Sequence, residues 1–214
     1  MVDSIKDSTI CSIVCEVLEH TQGLRDCPAA KTMHQPYLGG LLEHILHIAS
    51  LACHVCAVYP ELDRDLLVAA AILHDIGKTQ ELSFERSIDY TRRGRLLGHV
   101  GIGLQVFAAA VERWRAPRLL DPNTRTAGHP ACACAECAKL DHLEHIIASH
   151  HGQRAWGALE VPQSREAIMF HLLDMIDSRM GGFDVWAALP VDGLGFTRYI
   201  PRLEAGAYIG REAA

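Results

Sequence analysis

Along most of this chain apolar residues recur at three- and four-residue steps, the period of an amphipathic helix. From Gly39 to Tyr59, Leu41, Ile45, Ile48, Ala52 and Val55 form one such stripe, with His44 beside it. Glu43, His47, Ser50 and His54 fall on another, polar face, which predicts that His47 and His54 are solvated. A second helix is predicted from about Asp63 to Ile76, opening on an acidic turn and closing at Gly77. Its run from Leu66 to Leu73 has no polar face and belongs at the centre of a bundle. The segment Leu96 to Trp114 sets His99, Gly103 and Val106 in one row, with Gly101 and Gly103 small enough to admit a neighbouring helix. Leu143, Ile147 and His150 share a face of a helix from Leu140 to His151, which Gly152 ends. A last helix, Ser164 to Met180, aligns Ala167, Phe170, Asp174 and Asp177. The N-terminal residues Ile10, Val14, Val17 and Leu18 predict one further amphipathic helix, so the fold class is all-α.

The inner faces carry an unusual cargo. His44, the pair His74 and Asp75, His99, His150 and Asp174 all sit within apolar helical patterns. A carboxylate placed directly after the Leu66 to Leu73 run costs several kcal/mol to bury unless it is paired or bound to a cation. Alone, Asp75 could mark a helix end emerging into water; further helices presenting histidine or aspartate inward argue otherwise. Histidine and aspartate together ligate divalent metals, and the expectation is metal-assisted hydrolysis at a buried site. His151 lies about 100° round from His150, which leaves open whether it completes the site or meets substrate. Asp177 either reaches the mouth of the site or is exposed. Lys78 reads equally as a helix C-terminal lysine or as a group that meets a substrate oxygen.

Composition narrows the setting. With 214 residues and 49% hydrophobic content, the chain can bury one substantial core. Its formal net charge of -6 gives no overall basic field, so a polyanion needs a local patch. Arg92, Arg93 and Arg95, near Lys78 and Arg86, are the candidates, a solvated loop being the alternative. The eight cysteines read as reduced thiols, with Cys53 and Cys56 packed in a helix. An insert over 121–139 holds His129, Cys132, Cys134 and Cys137, which form either a tetrahedral structural zinc site or a reduced loop. No apolar run reaches the roughly 20 residues of a membrane span, so a cytoplasmic protein with no membrane partner is expected. A homo-oligomer stays open.

Six stretches in order, Pro28-Ala29-Ala30-Lys31, Tyr37 to His44, Leu73-His74-Asp75-Ile76-Gly77-Lys78, Gly94 to His99, Ser149-His150-His151-Gly152 and Asp174 to Asp177, carry a family likeness. The set resembles the HD-domain metal-dependent phosphohydrolase superfamily, and within it the bacterial 3'-5' exoribonucleases of the YhaM type. Residues Gly195 to Arg198 are loosely similar too. The resemblance implies an HD-domain helical bundle over 27–182 with a buried dinuclear site, a helical extension at 1–26 and a C-terminal tail at 183–214. It implies that His44, His74, Asp75 and Asp174 hold one metal, that Asp75 bridges to a second, and that His99 with His150 or His151 holds that second. It further implies Mn²⁺, or Fe, Co²⁺, Ni²⁺ or Mg²⁺, and a phosphodiester substrate, while the residues themselves make Asp75 and Lys78 the catalytic candidates and Lys78, Arg92, Arg93, Arg95 and Asp177 the candidates to touch that substrate. Three departures stand out. The family carries an N-terminal nucleic-acid-binding barrel, whereas the first 26 residues here read as one helix, which predicts short oligonucleotide substrates. Arg93 stands where the family usually has an acidic residue, and the cysteine insert is additional. The alternatives are a nucleotide or cyclic-dinucleotide phosphohydrolase, an HD-type di-iron oxygenase, and an inactive partner-binding domain.

Overall fold

The computed structural model describes residues 1–32, 35–85, 87–120 and 134–210. The run without a polar face forms α3 (Arg64–Leu73), and every residue from Leu66 to Leu73 is buried. Asp63 starts it by accepting hydrogen bonds from the amides of Asp65 and Leu66 at 3.0 and 3.1 Å. Around it pack α1 (Ser8–Glu19), α2 (Gly40–Val58), α6 (Ala135–Ser149) and α7 (Arg165–Ala187). A short α4 (Lys78–Glu81) continues the chain beyond α3 and lies against α5 (Arg92–Leu120). The α2 stripe of Leu41, Ile45, Ile48 and Ala52 faces the core as the periodicity requires.

Several features depart from the sequence reading. The N-terminal helix is part of the core: Ile10, Ile13, Val14 and Val17 are fully buried. Asp7 caps it through the amides of Thr9 and Ile10, both at 3.0 Å, while its other oxygen meets Lys139 of α6. Two antiparallel hairpins join the otherwise helical fold: β1 (Leu82–Ser83) with β2 (Asp89–Tyr90), and β3 (Phe196–Ile200) with β4 (Ala205–Tyr208). The helix expected to end near Met180 continues to Ala187, through Gly181 and Gly182. Two helices, Gly40–Val58 and Arg92–Pro117, are long and apolar enough to cross a membrane, contrary to the reading that no run approaches that length. Both pass by length and composition alone, and the buried residues of α2 pack on protein.

Gly77 does not act as the expected left-handed helix stop; its φ of -62° and ψ of -20° are ordinary helical values. The need for glycine is steric. A Cβ at this position would stand 2.0 Å from the carbonyl oxygen of His99 and 2.7 Å from the amide nitrogen of Gly103. Gly98 serves the same junction by conformation, because its φ of 66° and ψ of 160° break α5 just before His99. The break frees the His99 amide to donate to Glu81 Oε1 at 3.0 Å.

Candidate metal centre

The helices deliver two groups of side chains to one point. His44 from α2 meets His74 and Asp75 from the end of α3, while His99 from α5 meets His150 and His151 from the end of α6, the donor atoms within each group lying within 4.8 Å of one another. Asp75 stands between them. Its Oδ2 is 3.2 Å from His74 Nε2 and 3.6 Å from His44 Nε2, and its Oδ1 is 3.3 Å from His99 Nε2 and 3.9 Å from His150 Nε2. Asp174 of α7 adds Oδ1 to the first group, 3.3 Å from His44 Nε2 and 4.0 Å from His74 Nε2.

The far nitrogens of four of the five rings are fixed from behind, whereas His151 Nδ1 is buried with no hydrogen-bond partner among the described residues. His44 Nδ1 lies 2.7 Å from Asp177 Oδ2, His74 Nδ1 3.1 Å from the Ala71 carbonyl, and His150 Nδ1 2.7 Å from the Ile147 carbonyl. His99 Nδ1 lies 3.3 Å from Glu81 Oε1. Each Nδ1–H donated outward leaves the Nε2 lone pair facing the centre, the tautomer a metal ligand needs.

The residues present fit two cations. Asp75 Oδ1 and His150 Nε2 are buried polar atoms without a hydrogen-bond partner among the described residues. His44 and His74 bring Nε2 atoms within 3.3 Å of each other, and His99 and His151 within 3.1 Å, so lone pairs converge where a positive charge belongs. Burial pulls the His44 imidazole down, but Asp174 and Asp177 outweigh it and carry it up to about 9, so the surrounding carboxylates favour a proton on Nε2 that a bound metal would displace. Burial holds His150 well below the ordinary histidine range, so that it stays a neutral imidazole. Burial pushes the carboxyl of Asp75 up, yet Lys78 and the surrounding histidines hold it well below the usual range. Lys78 itself is buried, with Nζ 2.5 Å from Asp75 Oδ2.

Some predicted site residues lie elsewhere. Asp177, expected at the mouth or in solvent, is buried behind His44 and also accepts from Gln35 Nε2 at 3.1 Å. His47, expected in solvent, is half exposed yet sits 2.8 Å from Asp177 Oδ1, because the polar face of α2 meets a carboxylate of α7. His54 does face solvent, with its Nδ1 2.7 Å from the Ser50 carbonyl of its own helix. Arg92, Arg93 and Arg95 occupy the exposed start of α5, where Arg93 meets Gln105 and Arg95 pairs with Asp89 at 3.6 Å. Of the cysteine insert, His129 and Cys132 lie outside the described residues, as does Arg86. Cys134 caps α6, accepting from the Cys137 amide at 3.5 Å.

Beside the metal centre opens a cavity of about 620 Å³. Its floor includes Asp75, Lys78, His150, His151 and Asp174. Its walls bring residues the sequence reading did not single out, including Trp156, Arg179, Trp186 and Arg202, and none of Arg92, Arg93 and Arg95 lines it.

Helices offering inward histidines and a His-Asp pair around one central carboxylate define a class. The HD domain model matches residues 41–179, and the chain belongs to that family. It is similar to the 3'-5' exoribonuclease YhaM of Bacillus subtilis (strain 168), with 34% identity over 168 residues, 78% of this chain and 48% of the relative. The YhaM exoribonuclease of Bacillus licheniformis is 36% identical over 159 residues, 74% of this chain and 45% of the relative. The chain thus spans about half the length of the curated relatives it matches. No solved structure matches it.

The position of Asp177 carries a prediction. Asp177→Ala removes the acceptor that orients His44 while leaving every inward-facing donor in place. Affinity for the first metal is expected to drop about 10- to 100-fold, as measured by metal titration against a competing chelator. Unchanged affinity would mean that His44 needs no support from behind.

Proposed function

We propose that this protein is a dinuclear metal-dependent phosphodiesterase that removes nucleotides from the 3' end of short oligonucleotides. The observation that carries the reading is Asp75, whose two oxygens face two separate histidine groups. His44, His74, Asp75 and Asp174 would hold one ion, and Asp75, His99, His150 and His151 the other. A pair of bound divalent ions supplies a hydroxide nucleophile near neutral pH and takes up charge developing on phosphoryl oxygens. Mn²⁺ is the favoured ion, since the donors are nitrogens and carboxylate oxygens without thiolate.

The chain's own groups do the rest. Glu81 and Asp177 hold His99 and His44 in their working tautomers. Lys78, fixed by Asp75, offers an ammonium toward a non-bridging oxygen or the leaving oxygen. The similarity to YhaM exoribonucleases over most of this chain supports the 3'-5' polarity and the oligonucleotide substrate. A soluble, cytoplasmic setting accords with the burial of the α2 stripe against protein.

With Mn²⁺ and a short single-stranded RNA labelled at its 5' end, the expected products form a ladder shortened from the 3' end, with nucleoside 5'-monophosphates released. Metal analysis of protein purified without chelator should find two ions per chain. Hydrolysis confined to mononucleotides or cyclic dinucleotides would keep the metal chemistry and defeat the exonuclease reading.

A further inference from the structure

The cavity beside the metal centre is built from two parts of the chain that the metal ligands do not require. One is a face of α7, along which His171, Met175, Ser178, Gly182 and Trp186 recur at three- and four-residue steps. The other is the β3–β4 turn, which brings Pro201, Arg202 and Glu204 to the rim. The turn follows α7 in the chain and lines the same space as Asp75 and Asp174.

Two features of that wall suit one kind of ligand. Arg179 and Arg202 both line the cavity and make no ion pair among the described residues. Two guanidiniums with no carboxylate held against them are placed to meet a phosphate, in a cavity whose charged lining is balanced overall. Two of the chain's three tryptophans, Trp156 and Trp186, line the same cavity, and Trp156, whose ring lies 6.1 Å from that of His171, keeps 50% of its surface exposed. At about 620 Å³ the space falls within the roughly 300–1,000 Å³ of small-molecule sites, enough for one nucleotide and too small for a duplex.

We infer that this cavity is a nucleotide subsite, in which Arg179 and Arg202 grip the phosphate next to the scissile one and the tryptophans carry a base. The inference deepens the phosphodiesterase reading above and rests on it for the position of the scissile phosphate. Stacking on an indole tolerates any base, so the subsite selects for a single-stranded nucleotide and not for a sequence.

The test compares two substrates of the Mn²⁺-loaded protein, 5'-phosphorylated thymidine dinucleotide (pTpT) and methyl p-nitrophenyl phosphate, which has neither a second phosphate nor a nucleoside. The R179A/R202A variant should raise KM for pTpT about tenfold or more and flatten its salt dependence, with a far smaller effect on the small diester. A second variant guards against misfolding. Gly182 is buried, but a Cβ built on it meets nothing within 4 Å, so Gly182→Leu projects into the cavity and replaces a poor helix former. It should melt no lower than the parent and lose pTpT cleavage preferentially. Equal losses on both substrates, or an unchanged KM for pTpT in both variants, would overturn the subsite. Binding separates this inference from its foundation: thymidine 5'-monophosphate should quench tryptophan fluorescence in the parent and not in R179A/R202A. If the parent never cleaves pTpT but shows that quenching, the exonuclease reading fails and the subsite stands; no quenching in the parent overturns the subsite.

Discussion

Asp75→Asn is expected to cost the protein both metal ions and to lower phosphodiester hydrolysis about a thousandfold or more. The amide keeps the volume of the side chain at a position that is 2% exposed, so the packing at the end of α3 survives. It removes the negative charge that both histidine groups share, and its nitrogen presents hydrogens to Nε2 atoms on one side. Lys78 loses the carboxylate 2.5 Å from its ammonium, which adds repulsion to the place where cations should bind. Metal content by mass spectrometry, turnover of a short oligonucleotide and far-ultraviolet circular dichroism on one preparation check the three parts together. A helical variant that retains two ions and full turnover would falsify the bridging role.

Gly77→Ala is expected to lose the second ion selectively and to slow turnover about a hundredfold, the scale of a misplacement near 1 Å. The new methyl cannot coexist with the His99 carbonyl oxygen 2.0 Å away, so α4 and α5 must part. His99 moves with α5, and with it one donor of the group it forms with His150 and His151. His44, His74 and Asp174 are not anchored on α5 and keep their positions. Overpacking of this kind also costs about 1–3 kcal/mol of stability. Gly101→Ala on the same helix meets nothing within 4 Å and serves as the comparison, neutral or slightly stabilising. Metal stoichiometry decides the matter: two ions per chain in Gly77→Ala would show that the contact is not what positions His99.

What could be read from the sequence follows from what helical periodicity encodes. It gives the face on which a residue lies, and so His44, Asp75, His99, His150 and Asp174 stand out as polar groups on apolar faces. It does not give the partner of that face. The amphipathic N-terminal segment therefore reads as an extension, although Ile10, Ile13 and Val14 are buried against the bundle. The polar face of α2 reads as solvated, although Asp177 meets His47 there. Glu81 lies in a four-residue helix, too short for any periodicity to mark it, and only its contact with His99 reveals it. Gly77 carries the signature of a helix stop because close approach and left-handed turns both demand glycine, and a sequence alone does not separate the two. Arg179 and Arg202 escape notice for a similar reason. Neither belongs to a basic cluster, and a shared cavity between α7 and the β3–β4 turn is a property of tertiary structure alone.

The metal donors come from elements dispersed along the chain, and even one supporting contact, from His44 to Asp177, joins residues 133 positions apart. Nothing resembling such a site exists in an extended polypeptide, so the ions bind the folded state and scarcely the unfolded one. By mass action they then act as a thermodynamic clamp, adding about 2.7 kcal/mol to the stability of the fold when free metal stands at a hundred times its dissociation constant. On the dinuclear reading, the same ions that would equip the centre for hydrolysis would also set how long the chain survives heat or protease, and withdrawing the metal would disarm and loosen the protein at once.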